Sequence, residues 1–186
     1  MTDTQWPRFE VFQQDRSGRP HKNVGTVHAP DAELALQNAR DVFTRRPSCL
    51  SLWVVPAESI FAKTRQELRN DSSPHVTQEV ASPRQLYYVF QKQSQRQSMS
   101  FVEHTGEVRA ANPYQALSAA VEKYGALETT YVWWVCPEKA IVRSSDDEIE
   151  SMFSPANEKL YRNPSEYRVM SEMMQVKSAL RKGGPD

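Results

Sequence analysis

The sequence has few of the residues on which most catalytic and cofactor-binding motifs depend. It contains six glycines, and neither glycine-rich phosphate-binding pattern, GxGxxG or GxxxxGK[ST], occurs among them. Its two cysteines, Cys49 and Cys136, form no CxxC pair, which is typical of a reduced compartment. None of the four histidines belongs to an HxH or HxxxH pair, and no glutamate stands three residues before a histidine, as it does in di-iron carboxylate sites. We therefore predict no cofactor, no metal site and no catalytic residue.

The sequence also lacks an excess of charge of either sign and lacks long apolar runs. The 23 Lys and Arg residues balance 23 Asp and Glu residues, so the chain has no net positive field to attract nucleic acid or an anionic membrane. No apolar stretch approaches the length of about 18 residues that a membrane span needs. The amino terminus lacks the basic region and apolar run of a secretory signal. We expect a soluble cytoplasmic protein that binds neither nucleic acid nor membranes.

An internal repeat is the main positive feature. The run WVVP at 53–56 recurs as WVCP at 134–137, so Trp53 and Trp134 lie 81 residues apart. The same separation aligns Gly25 with Gly106, and it holds without a gap from residue 25 to residue 60. Upstream, VFQ at 11–13 recurs at 89–91, a separation of 78 residues. The three-residue difference between the two separations falls in a polar region that is predicted to form a turn. We therefore predict a tandem duplication rather than a chance likeness of two α+β segments.

Each copy predicts the order β-β-α-β with a short helical turn after the last strand. Asp31 and Asn112 stand where a residue should accept hydrogen bonds from the first turn of each helix. A core of about 80 residues is marginal alone, so we expect the two copies to pack as a pseudo-two-fold, fused dimer of α+β class. The predicted parts are a first module at 1–63, a linker at 64–84, a second module at 85–143, and a C-terminal arm and helix at 144–186.

Several residues carry more local predictions. Gly25 and Gly106 should mark a β-bulge or a close backbone approach, because each is an isolated glycine in a strand. An apolar stripe on the first helix should face the sheet; it consists of Ala32, Ala35, Leu36, Ala39, Val42 and Phe43. An acidic run at 146–150 suits a solvated helix start, and the polar, aromatic run from Ser154 to 170 suits an extended arm. A terminal helix is predicted at 171–182.

Aromatic residues outside the dense apolar runs are candidates for contact with a partner. Trp6 and Tyr161 lie outside those runs, and large aromatic residues are enriched at interface centres. Trp133 and Trp134 are adjacent on a predicted strand, so their side chains must point to opposite faces. Core packing is the simpler interpretation of Trp134 and its counterpart Trp53, which leaves Trp133 as the candidate for a partner contact.

These motifs resemble the phenylacetic acid degradation B family, the B component of ring-1,2-phenylacetyl-coenzyme A epoxidase. The first-copy residues that carry the resemblance are Trp6, Pro7, Phe9–Phe12, His21, Val24, Gly25, Val27–Ala29, Ala35, Leu36, Asn38–Asp41, Phe43, Arg45, Arg46 and Trp53–Val55. The family's carboxy-terminal segment reads FSPANEKLYRNPSEY at 153–167 and follows the second copy. The second copy has no counterpart of the Trp-Pro start, Trp6 and Pro7. It also lacks counterparts of the charged helix residues Arg40, Asp41, Arg45 and Arg46. The ordinary family member is a single module, so a fused pair departs from the pattern.

The resemblance implies a non-catalytic component that helps assemble and bridge the oxygenase. Its implied partners are the catalytic di-iron subunit and the ferritin-like companion of that subunit. We expect an asymmetric bridge between two copies of that assembly, because one copy keeps the amino-terminal motifs and the other keeps the arm. The candidate interface residues are Trp6, Arg45, Arg46, Trp133, Tyr161, Arg162 and Tyr167. The alternatives are a stand-alone acyl-coenzyme A-binding or regulatory module, and an enzyme that uses Cys49 or a histidine.

Overall fold

The structure is a computed structural model that describes residues 6–44, 49–70, 83–93, 102–125, 129–158, 173–175 and 177–178. It divides into two compact units, Met1–Ala156 and Asn157–Asp186. The first unit is of the predicted α+β class and contains an antiparallel sheet of eight strands. In the second unit, residues 173–175 and 177–178 are helical, within the predicted terminal helix. Within these described ranges, no helix is long and apolar enough to cross a membrane.

The first module has the predicted β-β-α-β order, followed by one more strand and a short helix. Its elements are β1 Arg8–Gln14, β2 Lys22–His28, α1 Ala32–Phe43, β3 Ser51–Pro56, a 3-10 turn Ala57–Ser59, β4 Phe61–Thr64 and α2 Arg65–Asn70. β1 and β2 form the predicted antiparallel hairpin. Helix α1 begins as predicted, because the Asp31 side chain accepts a hydrogen bond from the Leu34 amide at 2.8 Å.

The second module repeats this order of elements. Its elements are β5 Gln85–Lys92, β6 Glu103–Ala110, α3 Pro113–Tyr124, β7 Val132–Pro137, a 3-10 turn Glu138–Ala140, β8 Val142–Arg143, a 3-10 turn Asp146–Glu148 and α4 Ile149–Glu158. Asn112 accepts from the Gln115 amide at 2.9 Å, and Pro113 occupies the first turn of α3, where its missing N–H costs nothing. The sequence therefore predicted both helix starts correctly.

The last strand of each module pairs with the other module. The strand order is β4-β7-β5-β6-β2-β1-β3-β8. β4 lies beside β7, with Ala62 opposite Trp134, and β8 lies beside β3, with Arg143 opposite Trp53. Only residues 57–60 separate β3 from β4, although these strands stand near opposite ends of the order. The sheet must therefore curve until its two ends approach each other. This exchange of terminal strands was not predicted from the sequence.

Three apolar clusters follow from the curved sheet. The first cluster lies between α1 and the first module's strands and includes Phe9, Val11 and Ala35. The second cluster lies between α3 and the second module's strands and includes Tyr87, Val89 and Ala116. The third cluster combines residues of both modules, among them Phe12, Trp53, Val55, Tyr88, Phe90 and Cys136. Because side chains alternate along a strand, each sheet half buries one face under its helix and the other face against its counterpart.

The two strand glycines occupy equivalent bulges, as predicted. Gly25 lies opposite Val11 and Gly106 lies opposite Val89, and in each hairpin the register shifts immediately after that valine. Gly25 has φ +143°, and a Cβ there would lie 2.9 Å from Cζ of Phe43. A side chain at this position would therefore meet both backbone strain and the end of helix α1.

Two sequence predictions need correction. Val42 is 55% exposed, so the buried stripe of α1 is narrower than predicted. The run from Ser154 to 170 was predicted to be extended, but helix α4 continues to Glu158; residues 159–170 lie outside the described ranges. The physical reason is that α4 is amphipathic: Phe153 is buried in the first cluster, and Ile149 and Met152 pack against it.

Candidate functional site

An exposed tryptophan on a fixed backbone is the most distinctive surface feature of the described residues. Trp6 is 59% exposed. Its carbonyl lies 2.8 Å from Nδ1 of His28, which must donate because a carbonyl oxygen only accepts. The next carbonyl, that of Pro7, accepts from the Ala29 amide at 3.2 Å. The indole is therefore presented to solvent from a segment that β2 holds in place, as suits an interface anchor.

A groove of about 540 Å³ surrounds this tryptophan, which we call the Trp6 groove. It is lined by Trp6, Pro7, Arg8, His28, Pro56, Ala57 and Glu58. Both prolines have a fixed φ angle, so little conformational freedom remains to be lost when a partner binds here. Its polar lining residues are Arg8, His28 and Glu58, and the Arg8 guanidinium is paired with Glu10 at 3.6 Å.

The equivalent positions of the second module have a different chemistry. At the repeat separations of 78 and 81 residues, Arg84 replaces Trp6, Arg109 replaces His28 and Lys139 replaces Glu58. All three of these replacements are exposed. The second module therefore presents cations where the first presents an aromatic anchor, and one partner surface cannot complement both.

The other predicted interface residues divide into one buried residue and five that fall outside the described ranges. Trp133 is fully buried in the second cluster, beneath α3. It is a core residue rather than an interface residue, because strand β7 turns this indole toward the helix and turns Trp134 toward the third cluster. The undescribed candidates are Arg45, Arg46, Tyr161, Arg162 and Tyr167.

A cluster of aromatic, histidine and arginine side chains joins the two modules. The His21 ring stacks on Trp53 at 3.5 Å between centroids, and the His104 ring stacks on Tyr88 at 4.9 Å. The Arg143 guanidinium lies 5.3 Å from the Trp53 ring and 5.0 Å from the Tyr88 ring. We call these five residues the junction cluster. The sequence did not predict it, since only the meeting of the modules brings its members together.

The two histidines of the junction cluster are held in the neutral form. Burial lowers the pKa of His21 to about 3, and the neighbouring His104 and Arg143 contribute to that shift. Burial likewise lowers the pKa of His104, while Glu107 opposes that shift. The Nε2 atoms of both rings are buried and have no hydrogen-bond partner in the described structure. Both rings contribute to the packing between the modules through their stacked faces.

The two thiols are poor nucleophiles. Burial raises the pKa of Cys49 to about 11 and that of Cys136 to about 12. A thiol with such a pKa contains almost no thiolate near neutral pH, and thiolate is the reactive form. Among the residues that the structure describes, no three His, Cys, Asp or Glu side chains come together as a metal site.

A second groove, of about 880 Å³, lies between β6 and α3 and is lined in part by Glu107 and Lys123. Beside it, the Tyr124 hydroxyl accepts from the Glu107 amide at 2.7 Å and donates to the Glu107 carbonyl at 2.9 Å. The Lys123 ammonium donates to the same carbonyl at 2.9 Å. Side chains of α3 therefore satisfy the backbone N–H and carbonyl of Glu107 in β6.

Comparisons with known proteins agree on one family. The model of the family "Phenylacetic acid degradation B" matches residues 5–78 and, separately, residues 84–174. The chain is also similar to the B component of the 1,2-phenylacetyl-CoA epoxidase of Escherichia coli strain K12. That similarity is 45% identity over 67 residues, which cover 36% of this chain and 70% of the relative. No solved structure matches.

Proposed function

Since the chain belongs to the phenylacetic acid degradation B family, we propose that it is a non-catalytic structural subunit of a multicomponent epoxidase. The family matches cover most of the chain, and the Escherichia coli relative is the B component of such an enzyme. The substrate of the proposed complex is phenylacetyl-coenzyme A or a related aryl-coenzyme A. Its partners are the catalytic di-iron subunit and the ferritin-like companion of that subunit.

The observation that carries this proposal is the fixed and exposed indole of Trp6. An exposed tryptophan costs solvation free energy in an isolated chain, whereas at an interface it supplies a large contact area with few rotatable bonds. The hydrogen bonds from His28 and Ala29 keep its backbone in one conformation before any partner arrives. This arrangement supports a role in assembly.

The described titratable groups favour assembly over catalysis. An enzyme based on Cys49 needs a thiol with a lowered pKa, and burial raises this one to about 11. An enzyme based on His21 or His104 needs an accessible imidazole that titrates near neutral pH. Both of these rings are stacked within the junction cluster, and burial lowers the pKa of each.

We further infer that the two modules form a fused, pseudo-two-fold dimer. Three observations support this inference: the repeated order of elements, the equivalent bulges at Gly25 and Gly106, and the reciprocal pairing of β4 with β7 and of β8 with β3. In a true homodimer, each exchanged strand would come from the other copy. A bridge between two oxygenase assemblies would use both modules, whose exposed residues differ at the repeat positions of Trp6, His28 and Glu58.

Co-purification tests the assembly role. The tagged full chain should capture the catalytic di-iron subunit and its companion from a co-expression strain, and epoxidation of phenylacetyl-coenzyme A should require all components. The isolated chain should show no epoxidation. A chain that elutes alone in the presence of those subunits would contradict the proposal.

The alternative function is an acyl-coenzyme A-binding or regulatory module that works alone. Isothermal titration of phenylacetyl-coenzyme A into the isolated chain separates the two functions, because a structural subunit contributes no complete ligand site of its own. A dissociation constant in the low micromolar range or below, without other subunits, would favour the alternative.

A further inference from the structure

The two central strands of the sheet, β2 and β6, overlap only where each of them begins. Their antiparallel register places Lys22 opposite Glu103, which are the first residues of β2 and of β6. Two backbone hydrogen bonds of 2.8 Å flank this pair, and the strands then run apart in opposite directions. Among the described residues, no strand pairs with residues 24–28 on the side of β2 that faces away from β1. We call this side the free edge of β2.

The main chain of Thr26 points toward the free edge. The Ala29 amide donates to the Pro7 carbonyl at 3.2 Å, so these two residues form a hydrogen-bonded pair next to the β1–β2 hairpin ladder. Such pairs alternate along an antiparallel ladder, so Thr26, opposite Glu10, belongs to a pair that exchanges no hydrogen bonds. The same holds for His28, whose carbonyl accepts from a side-chain amide of α1 at 3.2 Å. The amide and carbonyl of Thr26 therefore point away from β1, and this residue is exposed.

The second module shows how the same two backbone groups can be satisfied. Glu107 is the equivalent of Thr26 at the repeat separation of 81 residues. The Tyr124 hydroxyl accepts from the Glu107 amide at 2.7 Å and donates to its carbonyl at 2.9 Å, so it binds both groups as one residue of a neighbouring strand would. The equivalent of Tyr124 in α1 is Phe43, which has no hydroxyl. The place that a hydroxyl fills in the second module is therefore open in the first.

The free edge leads to the Trp6 groove. His28 is the last residue of β2 and also lines that groove, where its ring donates to the Trp6 carbonyl at 2.8 Å. Beside the edge, Val42 is 55% exposed, and its equivalent Lys123 reaches the Glu107 carbonyl at 2.9 Å. An extended segment on the free edge would thus contact Val42 and, two residues further along β2, would reach the exposed indole.

We propose that a subunit of the oxygenase binds the first module by adding an extended segment to the free edge of β2, with main-chain hydrogen bonds to Thr26 and a side chain against Trp6. This inference rests on the proposed function and states how the partner is held. In this mode of binding, main-chain hydrogen bonds supply affinity and alternating side chains supply specificity. The partner side chain beside Val42 should be apolar, because Val42 offers it no polar contact.

A second copy of this chain fits the free edge less well than an extended segment does. Two copies paired about Thr26 would run antiparallel, so the beginning of one β2 would face the end of the other. The beginning of β2 is already paired with β6 at Lys22, and this neighbouring strand would meet the His28 end of the edge. A single extended segment has no such neighbour.

Amide hydrogen exchange resolved to single residues tests this mode of binding on the full chain, alone and with the purified catalytic and companion subunits. The Thr26 amide should exchange rapidly in the isolated chain and at least about 10-fold more slowly in the complex. The Glu107 amide, which is already bound by Tyr124, should exchange slowly in both. Equal exchange of Thr26 in the two states would overturn the inference. Slow exchange of Thr26 in the isolated chain would also overturn it, because the edge would then be occupied by this chain or, in a dimer, by a second copy.

A matched pair of variants tests the role of the missing hydroxyl. Phe43→Tyr should bind the Thr26 backbone as Tyr124 binds that of Glu107, and should weaken the dissociation constant of the complex about 10-fold, since two main-chain hydrogen bonds to the partner are lost. Tyr124→Phe removes a hydroxyl from the other module and should change the dissociation constant by less than about 2-fold.

The failure of the inference and the failure of the proposed function give different results. A folded Phe43→Tyr chain with a protected Thr26 amide and an unchanged dissociation constant would overturn the inference and leave the proposed function intact. Absence of any complex with the unmodified chain would instead overturn the proposed function. If Phe43→Tyr leaves the Thr26 amide unprotected, the exchange of that amide in the unmodified complex decides the question.

Discussion

The bulge glycines provide a quantitative test of how tightly helix α3 is held against β6. In Gly106→Ala, the new Cβ would overlap the Tyr124 hydroxyl and lie 2.6 Å from Cζ of that ring. Tyr124 cannot move aside freely, because its hydroxyl makes two hydrogen bonds to the backbone of Glu107. At Gly25, the equivalent contact is with the ring of Phe43, which has no hydroxyl to hold it.

The two alanine variants should lower the free energy of unfolding by different amounts, because only Gly106→Ala requires hydrogen bonds to break. Both glycines have positive φ, +143° and +159°, so backbone strain of about 1–3 kcal/mol applies to each alanine variant. Overpacking adds about 1–3 kcal/mol at either site. Moving Tyr124 also breaks two hydrogen bonds worth about 0.5–1.5 kcal/mol each. We therefore expect Gly106→Ala to be about 1–3 kcal/mol more destabilising than Gly25→Ala.

Urea unfolding followed by circular dichroism and tryptophan fluorescence measures these free energies, provided that both probes report the same transition. A double-mutant cycle adds the decisive control. Tyr124→Phe makes the second module resemble the first, so Gly106→Ala should cost about 1–3 kcal/mol less in that background. Equal costs for the two glycine variants, or no coupling between Gly106 and Tyr124, would refute this account of the bulge.

Three further predictions concern the core, the junction cluster and the thiols. Phe153→Ala should lower the free energy of unfolding by about 3–5 kcal/mol, because α4 is anchored through this side chain; a cost below about 1 kcal/mol in urea unfolding would contradict the docking of α4. The folded-state pKa of His21 and of His104 lies below the unfolded value of about 6.5, so their contribution to stability is fully present above about pH 6.5 and is lost as the pH falls, for His21 down to about pH 3. Urea titrations at several pH values should show that replacing either histidine with Phe reduces this pH dependence, and an unchanged slope would argue against neutral, buried imidazoles. Cys49 and Cys136 should react with a thiol reagent at about pH 8 much more slowly in the folded chain than in urea, and rapid labelling of folded Cys49 would revive the thiol-enzyme alternative.

Much of the local structure was predictable because it depends on neighbours in sequence. The hairpins, both helix starts and the two bulges were assigned from the alternation of apolar residues, the residues Asp31 and Asn112, and the isolated glycines. The family could also be identified from motif spacing, and the comparisons confirm it. Trp6 stands outside the apolar runs and is exposed, whereas its role at an interface stays a prediction.

The candidate site was predictable only in part. Which of two adjacent tryptophans faces the helix depends on strand register, and a shift by one residue exchanges the two faces. The repeat favoured Trp134 as the core residue by analogy with Trp53, whereas in the structure Trp133 is buried beneath α3 and Trp134 lies in the third cluster. The junction cluster could not be predicted from the sequence either, because His21 and His104 lie in different modules and meet only when the sheet curves.

The sequence by itself determined the β-β-α-β elements of each module, the balanced charge, and the family to which the chain belongs, whereas β4, β8 and the helix α2, which lies within the predicted linker, were not predicted. The tertiary structure alone decided that β4 and β8 cross to the opposite modules and that Phe153 is buried against the first module. The physical reason is that a strand of two residues, such as Val142–Arg143, has no periodicity of its own. Its pairing is fixed by the free edge of β3 and by the closure of the whole sheet. Both depend on residues that are distant in sequence, so local strand propensity cannot predict them.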